Sequence, residues 1–321
     1  MNITIVLPPS ARLAEQSGLI RQVFAGHTIQ VVTTSAEQAK ALESTDILVS
    51  TAFVPVTRSD ILSAPRLKFI QVAGVGVDHV DLDAAQDQGV LVAAVAGANA
   101  ESVAEHVVMS ALALLRPLVS SHVSLTEGKW ELPAWMARAE DMAGKTFGIY
   151  GMGRIGQELA KRLLAFHVTL LYHDQHPLSQ DKERLWGLTL VSKETLLKAS
   201  DIVSLHLPLT RDLYHTIGSQ EFSAMKDGSI LINTARSELI DRDALLVALR
   251  TKLRGAALDV LDPEPPLPDD PLLKLPNVLL TPHGAGVTIQ AQNRIAESAI
   301  QNVLRFLDNR PVDHLFLGES S

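Results

Sequence analysis

The 321-residue chain alternates short apolar runs with longer amphipathic stretches from end to end. That rhythm belongs to βα units built around parallel sheets. In the first third the runs predict strands at Ile3–Leu7, Ile29–Val32, Ile47–Ser50, Phe69–Val72 and Leu91–Ala94, with helical stretches between them. Together they make one compact α/β layer of roughly a hundred residues, a common domain size. Val103, Val107, Val108, Ala111, Leu112 and Leu115 then fall at helical spacing and predict a helix over Glu101–Arg116, stopped by Pro117. Residues 117–144, with Trp130, Pro133 and Trp135, have no clear period and are expected as a loop or arm.

A second layer starts at Lys145. Its predicted strands are Thr146–Tyr150, Thr169–Tyr172, Ile202–Leu205, Ser229–Asn233, Ala256–Val260 and Val278–Thr281. A helix from Gly156 places Leu159, Leu163 and Leu164 on one face. A later helix is expected to be capped by Asp241, stapled by Ile240 and Leu245, and closed by Gly255. Six strands with crossover helices predict a dinucleotide-binding sheet. The Pro/Asp-rich run Asp262–Pro271 reads as a rigid loop. Thr288–Asn309 reads as an amphipathic helix through Ile295, Ala299, Ile300, Val303 and Leu307, and the pattern leaves open which layer it packs on.

Composition narrows the partners. The formal net charge of −8 argues against nucleic acid and anionic membranes as main partners. A small anionic substrate is still allowed, because one pocket can be locally positive. The absence of cysteine excludes disulfides, thiolate metal sites and a cysteine nucleophile, and it suits a reducing cytoplasm. The N-terminus has no signal-peptide pattern and reads as a first strand, and the apolar stretch Val107–Leu115 is too short to span a bilayer.

The chemistry begins at Gly151-Met152-Gly153-Arg154-Ile155-Gly156, where a strand runs through a glycine turn into a helix. Gly151 permits the tight turn, Gly153 lets the backbone approach a pyrophosphate, and Gly156 lets helix and strand pack closely. The next strand ends at Asp174, whose carboxylate suits both ribose hydroxyls and would repel a 2′-phosphate. Gln175 and His176 follow, with no arginine, so NAD is favoured over NADP. Further on, Arg236, Glu264 and His283 each stand just past an apolar strand, where the ligand crevice of an open parallel sheet lies. Their types match hydride chemistry on a 2-keto acid. An imidazolium donates a proton to the forming alkoxide, a carboxylate orients it, and a guanidinium holds the substrate. Each residue alone has a plain reading as a turn histidine, a solvated loop acid or a helix-approach charge. The three together, behind a dinucleotide loop, favour the chemical one.

The chain resembles the D-isomer-specific 2-hydroxyacid dehydrogenase family over most of its length. The motifs are Gly74-Val75-Gly76-Val77-Asp78-His79-Val80-Asp81, Ser102-Val103-Ala104-Glu105-His106, the glycine loop, His206-Leu207-Pro208-Leu209-Thr210, Asn233-Thr234-Ala235-Arg236, Ala257-Leu258-Asp259-Val260 with Glu264-Pro265, and Thr281-Pro282-His283. The resemblance implies that Arg236, Glu264 and His283 are catalytic, with Arg236 and His283 also touching substrate. It implies that backbone N–H groups around Val75 and Gly76 bind the substrate carboxylate. NAD contacts are implied for Gly151, Gly153, Arg154, Ile155, Gly156, Asp174, Leu207, Pro208, Thr234 and Ala235, with Asp259 at the nicotinamide carboxamide. The implied fold has two doubly wound parallel-sheet α/β domains. One is a Rossmann NAD-binding domain over 98–286. The other is a smaller, discontinuous, flavodoxin-like substrate domain over 1–97 and 287–321, and the active site is expected in the cleft between them.

Two positions depart from the family pattern. Ser237 replaces a glycine after the catalytic arginine and is expected to alter the local turn. His167 replaces a glycine and is expected at a helix end. Ser102 and Glu105 also fit a capping box, so Glu105 is given no catalytic role. Phosphoglycerate dehydrogenase-like members often carry a further regulatory domain, and none is expected within these 321 residues. The stretch Thr51–Val56 is apolar where a phosphorylated substrate wants a cation. These points favour an unphosphorylated 2-keto acid such as glyoxylate or hydroxypyruvate. Oxidation of another small anion (phosphite, or formate, against which Glu264 counts) and an NADH-sensing corepressor-like binding protein are the rival readings. A homodimer through the 101–144 region is expected, with Trp130 and Trp135 at the interface or a partner's pocket.

Overall fold

A computed structural model describes residues 1–7, 21–51 and 54–317. The chain divides into two compact units, Met1–Asn99 with Ile289–Ser321, and Ala100–Thr288.

The first unit is built on strands β1 (Asn2–Val6), β2 (Thr28–Val32), β3 (Ile47–Ser50), β4 (Phe69–Val72) and β5 (Leu91–Ala93). They pair in parallel in the order β2-β1-β3-β4-β5, the flavodoxin-like order, and a short strand Leu315–Leu317 adds antiparallel beside β5. β3 and β4 are buried throughout, as expected of central parallel strands covered on both faces. Helices α1 (Ser35–Leu42), α2 (Arg58–Leu62) and α3 (Leu82–Asp87) cover one face, with Leu42, Ile61 and Ala84 packed among Leu48, Ile70 and Val92. The helix Ile289–Leu307 covers the other. Its Val303 is buried with Ile3 and Ile47, and Phe306 stacks on Phe69 at 4.7 Å between ring centroids. The tail helix therefore belongs to this unit.

The second unit opens with α4 (Ala100–Leu115), α5 (Leu118–Thr126) and α6 (Leu132–Arg138). Then come β6 (Thr146–Tyr150), α7 (Arg154–Leu163), β7 (Thr169–His173), α8 (Gln180–Trp186), β8 (Leu188–Leu190), α9 (Lys193–Ala199) and β9 (Ile202–Leu205). It closes with α10 (Ser219–Ala224), β10 (Ile230–Asn233), α11 (Arg242–Thr251), β11 (Gly255–Leu258) and β12 (Val278–Leu280). All seven strands are parallel, in the order β12-β11-β10-β9-β6-β7-β8. The strand order reverses between β6 and β9, the switch point where such sheets bind ligands.

Several expectations need correction. The stretch after Pro117 is two short helices. Neither contains a buried residue, so no stripe facing a core could reveal them. β8 and Leu315–Leu317 are three-residue strands, too short to show a period. The helix expected from Gly156 starts at Arg154. Ser102 lies inside the first turn of α4, bonded to Thr288 Oγ1 at 2.9 Å, and Glu105 pairs with Arg162 at 3.2 Å, so no capping box forms. Asp241 does cap α11, accepting from the Ala244 N–H at 3.0 Å. Gly255 does not close that helix; it opens β11, where a Cβ would lie 2.4 Å from the Asn277 carbonyl oxygen. His167 ends the turn after α7 at φ +55, the left-handed region that glycine usually takes.

Among the described residues no single helix is long and apolar enough to cross a membrane. The pair α4–α5 passes that test only together, across a 61° bend.

Candidate active site

The switch point carries the glycine loop. Gly151 sits at φ +100, and a Cβ there would lie 2.5 Å from the His206 carbonyl oxygen, so only glycine lets β6 turn beneath β9. A Cβ on Gly156 would lie 2.3 Å from the Gly151 carbonyl oxygen. A Cβ on Gly153 would meet nothing within 4 Å, so this position opens outward, at the N-cap of α7. The first-turn N–H groups of a helix have no carbonyl in the preceding turn to donate to, and with the helix dipole they favour an anion.

Asp174 closes the loop from β7. Its Oδ2 accepts from the Met152 N–H at 2.6 Å and its Oδ1 from the His176 N–H at 2.7 Å. Each oxygen retains a second lone pair for a hydroxyl donor. Past β10, Thr234 Oγ1 is buried without a hydrogen-bond partner. Leu207 and Ala235 are half-buried, packed against the core around β9–β11, and Pro208 is exposed. An outward-opening glycine, a helix N-terminus, a strand-end carboxylate and an orphaned hydroxyl fit a dinucleotide.

Three adjacent strands supply the rest. Past β10, the fully buried Asn233 accepts from the Ala235 N–H at 3.0 Å and donates to the Arg236 carbonyl at 2.8 Å, holding the turn that presents Arg236. Ser237 begins a short 3-10 turn, and its hydroxyl donates to Glu238 at 2.9 Å. Past β11 comes Glu264, and past β12 comes His283. His283 Nδ1 and Glu264 Oε2 are 2.8 Å apart, with the two side chains 50% and 40% exposed. A carboxylate only accepts, so Nδ1 carries the hydrogen of this bond and Nε2 is left for another partner. Glu264 Oε1 accepts from the Leu261 N–H at 2.9 Å.

The loop bearing His283 hangs on Asp259, which is 2% exposed. Asp259 Oδ1 accepts from Thr281 Oγ1 at 2.5 Å and the Gly284 N–H at 2.8 Å, Oδ2 from the Ala285 N–H at 2.8 Å, and the Asp259 carbonyl from the His283 N–H at 2.8 Å. That anchorage leaves little of the carboxylate for a cofactor. From α4, His106 Nε2 lies 3.3 Å from Thr281 Oγ1; burial lowers its pKa against the pull of Asp259, keeping the ring neutral. His206, whose Nε2 lies 2.9 Å from Ser204 Oγ, is pushed down to about 3 by burial.

The structure thus joins Glu264 to His283 and sets Arg236 on the neighbouring strand end. Val75 and Gly76 lie in the first unit, in the half-buried loop after β4. In that unit Val54 and Val56 are buried in the core, and Ala52 and Phe53 lie outside the described residues. Sequence reasoning missed Asn233 and the anchoring work of Asp259. The one available signal was a polar residue closing an apolar strand before a turn.

The model of the D-isomer-specific 2-hydroxyacid dehydrogenase NAD-binding domain matches residues 108–285. The chain belongs to this family. Its second unit is therefore an NAD-binding domain and the protein an oxidoreductase. A glyoxylate reductase of Korarchaeum cryptofilum is 39% identical over 81% of this chain and 79% of its own length. A D-3-phosphoglycerate dehydrogenase of Archaeoglobus fulgidus is 40% identical over 78% of this chain, but the match spans only 47% of that relative. Among solved structures, an NAD-dependent formate dehydrogenase of Staphylococcus aureus in complex with NAD superposes with a TM-score of 0.89 at 36% identity, covering 100% of both chains. Family membership fixes the cofactor and the reaction type more tightly than the substrate.

Proposed function

We propose that this protein reduces a small unphosphorylated 2-keto acid to the D-2-hydroxy acid with NADH, and runs the reverse oxidation with NAD. Glyoxylate and hydroxypyruvate are the favoured substrates. The observation that carries this reading is the His283–Glu264 pair. The bound cofactor would supply the hydride as NADH in the reduction and take it as NAD in the oxidation. A keto carbon that gains hydride leaves an alkoxide needing one proton. Protonated His283 gives it from Nε2, and Glu264 at Nδ1 orients the ring and fixes its tautomer. Arg236 holds the carboxylate or keto oxygen through its guanidinium. Val75 and Gly76 offer backbone N–H groups to the substrate carboxylate. Gly151, Gly153, Arg154, Ile155 and Gly156 are assigned to the pyrophosphate, Asp174 to the ribose hydroxyls, and Leu207, Pro208, Thr234 and Ala235 to the remaining cofactor contacts. Asp259 is assigned chiefly to holding the His283 loop, with its remaining lone pair for the carboxamide.

Similarity to a formate dehydrogenase favours a second reading, formate oxidation. Formate that gives up hydride becomes carbon dioxide, which has no alkoxide to protonate. A histidine paired with a carboxylate has no task in that reaction, so the pair supports hydroxy-acid chemistry.

NADH oxidation, followed by absorbance against a panel of 2-keto acids and repeated with NADPH, tests the proposal. A fast rate with glyoxylate or hydroxypyruvate and a slower one with NADPH are expected. NADH binding without turnover of any keto acid would sink the reading.

We also propose a homodimer through α4–α6. Met109, Leu118, Val119, Leu125, Trp130 and Met136 are all more than half exposed there, a cluster of the kind that marks an interface. A monomer by light scattering at micromolar concentration would refute it.

A further inference from the structure

The turn that carries Glu264 has its own fixing point. Arg242, the first residue of α11, donates from Nη1 to the Asp262 carbonyl at 2.8 Å and pairs through Nη2 with Asp270 Oδ1 at 2.6 Å. The Asp270 side chain is 3% exposed, and its Oδ1 also accepts the Leu272 N–H at 2.9 Å. A carboxylate that deep is tolerated only when paired. Asp270 therefore fixes the guanidinium, and the rigid planar fork aims its other donor in a set direction.

That second donor lands where apolar packing is scarce. Asp262, Pro263, Glu264 and Pro265 are all exposed, so the turn has no core to seat it. On its inner side Arg242, Asp262, Asn233, Ser237 and Glu238 share the wall of one cavity. What fixes the turn is polar: the Arg242 bond to the Asp262 carbonyl, and the Glu264 bond to the Leu261 N–H. Glu264 then spends its other oxygen on His283. The path from the buried acid to the imidazole runs Asp270, Arg242, Asp262, Glu264, His283.

We infer that Arg242 is a positioning residue, which holds the Asp262 carbonyl and so sets Glu264 against His283 for proton transfer. Its side-chain bonds go to the Asp262 carbonyl and to Asp270. The inference rests on the proton-donor reading of His283 and Glu264. Because Asp270 is 3% exposed, removing Arg242 also costs stability, so the positioning role is read from turnover in the folded variant and from its dependence on Glu264.

A double-mutant cycle separates the possibilities. kcat for the 2-keto acid reduced fastest is measured in the wild type, Arg242→Gln, Glu264→Gln and the double variant, with NADH affinity from fluorescence titration. Arg242→Gln is expected to lower kcat by about ten-fold while leaving NADH affinity and the keto-acid KM within about two-fold. On the Glu264→Gln background the same change is expected to alter kcat by less than about two-fold, because the path it serves is already cut. Equal losses on both backgrounds, or no loss on either, would overturn the inference while leaving the dyad intact. An unchanged kcat in Glu264→Gln alone would instead overturn the dyad reading, and the inference with it. If Arg242→Gln does not fold, Arg242→Lys keeps a charge beside Asp270 and is read by the same cycle, with a smaller loss and the same dependence on Glu264.

Discussion

The two halves of the NAD-binding sheet are held by different means. On the β6–β7 side the site is mostly backbone: two glycines, Gly151 and Gly156, that admit no Cβ, a helix end, and one carboxylate tied to two main-chain N–H groups. On the β10–β12 side it is mostly side chains, with Asn233, Asp259 and Glu264 each spending polar atoms on a loop. The first arrangement has a shape that depends on sterics, and damage there harms folding and binding together. The second has a reactive geometry that depends on hydrogen bonds, and damage there harms rate while binding survives.

His283→Ala should sharpen this contrast most. A loss of about a thousand-fold in keto-acid reduction is expected, with NADH affinity within about two-fold of wild type. Parallel steady-state and fluorescence measurements check it, and weakened NADH binding in that variant would blur the division. Gly156→Ala is the counterpart on the other side. Its Cβ, 2.3 Å from the Gly151 carbonyl, should cost about 1–3 kcal/mol of stability and weaken NADH binding as well, read by denaturant midpoint and titration. Asp174→Ala should weaken NADH binding by about ten-fold and narrow the preference over NADPH, since it removes a hydroxyl acceptor and strands the Met152 N–H. An unchanged cofactor preference would remove Asp174 from the ribose.

The smallest effect is on pH. Burial lowers the pKa of His79, His106 and His206, that of His206 to about 3. An unfolded histidine titrates near about 6.5. Unfolding therefore takes up protons below that pH. Stability should be full above it and fall as the pH drops below it, by at most about 1.4 kcal/mol per pH unit for each histidine that stays neutral when folded, with the His206 contribution extending toward about 3. Urea midpoints from neutral to mildly acid pH check the sign. A protein that gained stability over that range would contradict it.

The same division governs what the sequence discloses. The glycine loop is legible because its three glycines and the helix they open are neighbours in the chain. Arg236, Glu264 and His283 are legible as polar residues standing just past apolar strands. Their supports are not, because Asn233 and Asp259 look like any strand-end polar residues until the loops they hold are folded over them. Arg242 and Asp270 meet across a strand and two loops, and no local pattern links them. α5 and α6 escaped for a different reason: their apolar side faces away from this chain's core, so the burial that would make it periodic is absent. The strands Leu188–Leu190 and Leu315–Leu317 are simply too short.

The most direct test gives one preparation two tasks, reduction of glyoxylate or hydroxypyruvate with NADH and oxidation of formate with NAD. A histidine–carboxylate pair built to move a proton should make keto-acid reduction faster in kcat/KM by at least about a hundred-fold, the scale of general acid catalysis. Formate oxidised faster than any keto acid is reduced would mean that the pair serves some other purpose, and would contradict the proton-transfer role given to His283 and Glu264.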